Sequence, residues 1–244
     1  MKTVAIIEAR MTSTRLPGKI LLPILGKPML ELLIERLKRA KLIDQIVVAT
    51  THNPSDDVVE KLTQRIRVGC FRGSEDDVLD RVLCAARANE ADVIVEITAD
   101  CPLIDPSVLD QVIRIYETKN VDYVSNILKR TYPRGMETQV FSTAVLENVA
   151  RLTQDPVDHE HVSLYIYEHP ETFTVFNVAS DLPEKYRDIR LTVDTVEDFQ
   201  LINAIYELLY PQNPTFTLTD IINLLGKRKD LLEINQNIQQ KQVR

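Results

Sequence analysis

The chain has 244 residues, a formal net charge of −7, 44% hydrophobic residues and 27% charged residues. That length suits one large domain or one domain carrying an insertion, and that composition is ordinary for a globular enzyme. The acidic balance argues against a nucleic-acid partner, because phosphate backbones select basic surfaces, and no apolar run approaches the roughly 20 residues of a membrane span.

The opening MKTVAIIEAR has one positive charge before a short apolar run, so it predicts a first strand over 3–8 and not a signal peptide. Val4 to Ile7 empties into a loop with Arg10, Arg15 and Lys19, the hydroxyls of Ser13 and Thr14, and a Pro17-Gly18 turn. A strand ending in a cationic, hydroxyl-rich turn is one way an α/β protein holds phosphates; the alternative is a solvated basic turn. Neither GxxxxGK[ST] nor GxGxxG occurs, which disfavours a P-loop NTPase and a dinucleotide site.

Met29, Leu33, Leu37 and Ala40 recur at helical spacing after Pro28 and predict a helix over 28–40. Strands are predicted at 45–50, 67–71 and 92–97, and amphipathic helices at 54–65, 76–90 and 106–119. Such alternation implies a mostly parallel sheet covered by helices on both faces. The three cysteines, Cys70, Cys84 and Cys101, lack CxxC spacing and predict free thiols in a reducing cytoplasm, not a disulfide framework or a zinc site.

Beyond residue 120 the pattern changes. Strands are predicted within 122–141 and 173–178, and helices over 142–152 and 158–169. The sheet is expected to resume at 190–194 (RLTVD), before a helix over 196–210. Residues 128–182 read as an insertion into a single domain of residues 1–226. The polar stretch 227–244 reads as a weak helix or a frayed end.

Ligands of open parallel sheets bind beyond the carboxyl ends of the strands, where four segments meet. The first is the loop 10–19. In ITADCPLID (97–105), Asp100 follows an apolar run and is a natural Mg²⁺ ligand, or else a turn residue; Asp105 is the better helix cap. In RLTVDTVEDF, Asp194 again ends a short run, Thr195 caps the next helix, and Glu197 and Asp198 suit its positive end. In RGSEDDVLDR, Arg72, Gly73 and Ser74 are placed to contact a base or ribose, while Ser74 followed by acids also reads as a helix cap. PRGMETQVF (133–141) sets Arg134 and Glu137 on a loop. His159 and His161 flank Glu160 at a polar helix start, without a third soft ligand for zinc.

The run ARMTSTRLPGKILLPILGKPML resembles the opening motif of the CMP-sugar-acid synthetases, the cytidylyltransferases for 3-deoxy-manno-octulosonate and acylneuraminate. FRGSEDDVLDR, TADCPL and RLTVDTVEDF are similar to the spore-coat polysaccharide biosynthesis branch. The resemblance spans most of residues 3–210. It implies a three-layer α/β/α sandwich of the nucleotide-diphospho-sugar transferase type, dimerising through the insertion. It further implies CTP and a small sugar-acid acceptor as substrates, Mg²⁺ as cofactor, and a CMP-sugar and pyrophosphate as products. Residue by residue, it implies nucleotide contacts from Ala9, Arg10, Ser13, Arg15, Lys19, Arg72, Ser74 and Asp100. Asp100 and Asp194 then hold metal, Lys19, Arg10 and Asp100 carry catalysis, and Arg134, Glu137 and Gln139 face the acceptor.

Two positions depart from the family pattern. Glu8 stands where a neutral residue is usual, and Gln139 replaces an acidic one. Rival readings are a nucleotidyltransferase with another nucleotide or a phosphorylated-alcohol acceptor, a glycosyltransferase, and a catalytically silent relative. The first loop lacks the Gly-rich start of sugar-1-phosphate enzymes, and Asp56-Asp57 and Asp76-Asp77 lie at helix starts, away from any DxD motif.

Overall fold

In the computed structural model, which describes residues 1–241 and 243, the first strand, β1 (Thr3–Glu8), lies inside a seven-stranded sheet. A short hairpin, β2 (Pro23–Ile24) and β3 (Lys27–Pro28), leads into α1 (Met29–Leu37). Then come β4 (Gln45–Thr51), α2 (Asp57–Ile66), β5 (Gly69–Gly73), α3 (Val78–Ala88), β6 (Val93–Thr98) and α4 (Pro106–Thr118). The second half holds β7 (Tyr123–Ser125), β8 (Gln139–Ser142), α5 (Thr143–Leu152), α6 (Pro156–Glu160), α7 (Leu164–Glu168) and β9 (Val175–Asn177). It closes with α8 (Val196–Leu209), α9 (Leu218–Lys227) and α10 (Lys229–Glu233).

The sheet order is β5-β4-β1-β6-β8-β7-β9. The strands β5, β4, β1 and β6 run parallel, β8 is antiparallel to β6 and β7, and β9 is parallel to β7. Successive strand residues face opposite sides, and both sides are apolar. Ala5 and Ile7 join Val48 and Val95 in a core with α1, α4, α8 and α9. Val4 and Ile6 join Val47 and Ile94 against α3, α5 and α7. Burial on both faces is why the parallel strands read as continuous apolar runs.

The elements up to residue 119 fall where expected to within three residues: α1, α3 and α4 are shorter, β4 runs one residue longer, and α2, β5 and β6 lie one to three residues further along. α3 starts at Val78 because Asp77 caps it, accepting the Asp80 amide. Ser74 Oγ accepts from the Asp77 amide at 3.0 Å instead, so it shapes the turn before the helix. The helix predicted over 158–169 is two, α6 and α7, interrupted at His161–Ser163. Residues 128–182, expected as an insertion, give β8 and β9 to the main sheet and α5 to α7 to one of its faces.

Residues 190–194 do not rejoin the sheet. They form an isolated bridge between Arg190 and Arg134. Their backbone pairs with loops: the Leu191 amide donates to the Arg134 carbonyl and the Val193 amide to the Asp100 carbonyl, both at 2.8 Å. Gly135 permits this approach, having φ +96° and no room for a Cβ against the Leu191 carbonyl. Past residue 227, α10 is followed by the buried Asn235, whose amide donates to Arg190 O and to Asp198 Oδ1.

Candidate functional site

A cavity of about 570 Å³ opens at the carboxyl ends of β1 and β6, as the topology requires. The loop after β1 forms one wall. Buried Asp56 pins that loop by accepting the Met11 amide at 2.8 Å, and is itself held by Thr51 Oγ1 at 2.5 Å. Gly18, at φ +71°, closes the loop by donating its amide to Met11 O at 2.9 Å. The next residue, Lys19, is thereby turned inward.

Lys19 Nζ makes three contacts: Val193 O at 2.7 Å, Asp194 Oδ1 at 2.9 Å and Asp100 Oδ2 at 3.1 Å. Arg15 reaches the same Asp194 oxygen at 2.8 Å. From behind, Arg190 donates to Asp194 Oδ2 at 2.5 Å and to Asp198 Oδ1 at 2.9 Å, and a further nitrogen donates to Gln240. Asp198, fully buried, accepts the amides of Asp194 and Thr195 and completes the capping box of α8. Burial pulls the Lys19 ammonium down, but Asp100 and Asp194 outweigh it and hold Lys19 above its ordinary pKa. Burial likewise pushes Asp194 up, and Lys19, Arg15 and Arg190 together bring it below the usual carboxylate range.

A second polar group lies under the cavity floor. Glu8, on β1, and Glu96, on β6, point to the α3 face near Arg81. Glu96 accepts from Gln139 at 2.9 Å, and Gln139 accepts from Tyr123 at 2.5 Å and Ser163 at 2.7 Å. Burial, and next the nearby Glu96, drive the Glu8 carboxyl well up; burial moves Glu96 to about 7 against hydrogen bonds that pull it down. The upward shift favours the neutral form of the Glu8 carboxyl beside the loop after β1.

Ala9, Arg10, Ser13, Arg15, Lys19, Asp100 and Asp194 all line the cavity. Arg72 and Ser74 do not. Arg72 donates to the carbonyls of Thr51 and Asn53 and pairs with Asp57 and Glu60, which tie it to α2. Arg134 and Glu137 also lie outside the lining: Glu137 accepts from Arg130 at 2.8 Å and from the Gly135 amide, holding its own loop. Gln139 also lies outside the lining and donates to Glu96, which does not line the cavity either. Sequence reasoning missed Asp56, Arg81, Arg190, Asp198 and the tail residues Gln240 and Lys241, which also line the cavity or support it.

The donor set suits a hard divalent cation. Asp100 Oδ1 receives only the Cys101 thiol at 3.5 Å, whereas Asp194 Oδ1 is engaged by Lys19 and Arg15. Asp100 and Asp194 would be the residues to hold such an ion once phosphate took over Lys19 and Arg15, since Mg²⁺ characteristically combines one or two carboxylates with substrate phosphates. Among the described residues no group of three or more His, Cys, Asp and Glu gathers as a protein-only metal cage.

A parallel sheet that ends in a cationic loop facing two carboxylates is the constellation of a nucleotidyl-transferring α/β enzyme. The family profile described as Cytidylyltransferase matches residues 4–235, and the chain belongs to that family. It is 36% identical to the spore coat polysaccharide biosynthesis protein SpsF of Bacillus subtilis, over 92% of this chain and 94% of that one. It is 30% identical to the 3-deoxy-manno-octulosonate cytidylyltransferase of Geobacter metallireducens, over 78% of this chain and 85% of that one. Its fold matches a cytidylyltransferase structure from Leptospira borgpetersenii serovar Hardjo-bovis with a TM-score of 0.90 at 34% identity, covering 99% of this chain and 100% of that one. The chain is a nucleotidyltransferase. No helix among the described residues is long and apolar enough to cross a membrane.

Proposed function

We propose that this enzyme transfers CMP from CTP to the hydroxyl of a sugar acid of the nonulosonic type, releasing pyrophosphate, in surface-polysaccharide biosynthesis. The supporting observation is the Lys19 ammonium held between Asp100 and Asp194 at the mouth of a cationic loop. The cytidylyltransferase activity named for the Geobacter relative and the spore-coat polysaccharide role named for the Bacillus relative support the choice of CTP, sugar acid and pathway.

In this reading Arg10, Ser13, Arg15 and Lys19 take the triphosphate, and Ala9 lies against the nucleoside. Lys19 and Arg15 leave Asp194 for phosphate oxygens, and Arg190 keeps Asp194 oriented from behind. Asp100 and Asp194 hold Mg²⁺, which when bound neutralises phosphate charge and lowers the pKa of the acceptor hydroxyl. The acceptor oxygen forms a bond to the α-phosphorus while its hydroxyl proton passes to solvent, and the bond from that phosphorus to the bridging oxygen breaks, with the electrons leaving on pyrophosphate. Positioning and charge neutralisation suffice, and no side chain need act as nucleophile. The acceptor enters beside Val157, Glu160 and His161, which line the wall facing the loop. The enzyme acts in the cytoplasm as a homodimer.

The test is pyrophosphate release from each of the four nucleoside triphosphates, with and without Mg²⁺, against 3-deoxy-2-keto sugar acids and phosphorylated alcohols. The expected result is Mg²⁺-dependent turnover with CTP and a sugar acid. Faster turnover with another triphosphate, or with a phosphorylated alcohol, overturns the substrate assignment.

A further inference from the structure

On the sheet face away from Glu8 and α3, a cavity of about 210 Å³ lies between α1 and α8, its polar lining made by Glu35, Arg36, Arg39, Tyr206, Tyr210 and Thr215. Arg36 is 3% exposed. Its guanidinium carbon stacks 4.5 Å above the centre of the Phe216 ring, and its Nε donates to Ile104 O at 2.7 Å. Stacking on one face and bonding at the Nε edge leave the opposite edge, Nη1 and Nη2, to meet whatever fills the cavity. Among the described residues, both of those nitrogens and Nη2 of Arg39 are buried without a hydrogen-bond partner. Together they carry six N–H donors.

The neighbouring acceptors are already engaged. Glu35 takes Lys27 at 2.5 Å and the Tyr210 hydroxyl at 2.9 Å. Asp105 takes the Ser107 amide and hydroxyl and the Leu218 amide. Tyr206 lies beside Arg36, but its proton is committed to Pro102 O at 2.7 Å, and one phenol oxygen cannot serve six donors. Arg36, Arg39 and Lys27 outnumber Glu35 and Asp105 by one positive charge. Burial pulls the Arg36 guanidinium down, Tyr206 and Asp105 oppose the fall and the charge of Arg39 adds to it, so a negative group here would relieve a cost. A second cavity shares Arg39 and Thr215 and adds Lys41 and Arg114 together with Asp105 and Asp110, the last of which accepts the Lys41 and Leu42 amides.

We infer that Arg36 and Arg39 form a binding site for a small oxyanion, a phosphate or carboxylate group, separate from the nucleotide cleft. A planar guanidinium edge matches two oxygens of such a group, and the cavity is sized for an inorganic anion or a short organic acid. The site also shares the turn that carries Asp100, because Arg36 and Tyr206 hold that turn at Ile104 and Pro102.

Thermal unfolding of the full chain in rising inorganic phosphate, and separately in acetate, tests the site, with ionic strength held constant by sodium chloride. Phosphate also suits the nucleotide loop, so Lys19→Met serves as the parent. Arg36 is too buried to replace safely; Arg39 is half-buried and carries the comparison. Lys19→Met is expected to keep an anion-dependent rise in melting temperature. Adding Arg39→Gln is expected to raise the half-maximal anion concentration by roughly tenfold or more, the loss of a charge-assisted hydrogen bond. A rise with phosphate alone or acetate alone identifies the group bound. The site is overturned if Lys19→Met responds to neither anion, or if Arg39→Gln leaves the response unchanged.

Discussion

Lys19 Nζ and Asp194 Oδ1 lie 2.9 Å apart although 175 residues separate them in the chain. The contact joins the loop after the first strand to the turn before α8. It also makes one ammonium the shared counter-charge of two carboxylates, since Asp100 meets it from the other side at 3.1 Å. In the proposed reaction a triphosphate would compete with those carboxylates for Lys19, which would couple substrate binding to the freeing of both aspartates.

Lys19→Met removes that counter-charge. Arg15 and Arg190 still hold Asp194, so the stability loss is expected to be about 1–3 kcal/mol, below the usual cost of orphaning a buried charge. Pyrophosphate release should fall about 10²-fold or more, because phosphate charge loses its nearest donor. Urea midpoints and initial rates check the two effects separately, and an unchanged rate would contradict the role given to Lys19.

The two aspartates should separate in the same assays. Asp194→Asn strips the ionic partner from Arg190, whose side chain is 6% exposed, and should lower both stability and turnover. Asp100→Asn touches a more open side chain, 24% exposed, and should lower turnover with a melting temperature within about 3 °C of the parent. Equal destabilisation by both substitutions would show that the asymmetry around Asp194 is unimportant.

Much of this arrangement was legible in the sequence because it is local. The loop 10–19 follows a buried strand, Asp105 and Thr195 cap helices by short-range bonds, and alternating apolar runs announce a sheet covered on both faces. What stayed hidden depends on partners distant in the chain. Leu191, Thr192 and Val193 look like a strand, but their backbone is claimed by Arg134 and Asp100. Asp56 looks like part of a helix start and instead anchors Met11. α9 had a readable signal in its Thr217 to Asp220 capping box. The ordered Asn235 and Gln240 had none, since a Gln-rich tail gives no hint that Arg190 awaits it.

Arg72 separates local appearance from actual partners. It lies near the carboxyl end of β5, the usual place for a binding residue, yet its guanidinium is occupied by Thr51, Asn53, Asp57 and Glu60. Arg72→Ala is expected to lower the melting temperature by about 2–6 °C and to leave the KM for CTP within roughly threefold. A large rise in KM with unchanged stability would restore Arg72 to the nucleotide site.

Glu96 ties stability to pH. Burial holds its carboxyl at about 7, above the ordinary 4.5, so the folded state binds the proton more tightly than the unfolded chain. Its contribution is present at low pH and is lost as pH climbs from about 4.5 to 7. Glu96→Gln removes the titration while leaving an acceptor for Gln139. The variant should gain on the order of 1–3 kcal/mol over the parent at pH 8 and close to nothing at pH 4. Denaturation at the two pH values checks this, and an equal difference at both would refute it.

His159 gives the same sign by a different route, through its charged form. Its Nδ1 lies 2.8 Å from Asp77 Oδ2 on the turn before α3, and its Nε2 lies 3.2 Å from Thr153 O. Two acceptors facing the two ring nitrogens favour the imidazolium, which alone donates from both. Burial lowers the imidazole pKa, and Asp77, the Thr153 carbonyl and the nearby charge of Asp158 outweigh it. The pair's stabilisation is therefore complete below about 6.5 and fades as pH rises through the higher folded value. Because α6 also presents Val157 and Glu160 to the cavity, loosening it should weaken substrate binding as well. His159→Gln should cost about 1 kcal/mol and raise the acceptor KM at pH 6, with both differences shrinking by pH 9. Penalties that stay constant across that range would mean that His159 holds α6 by shape and not by charge.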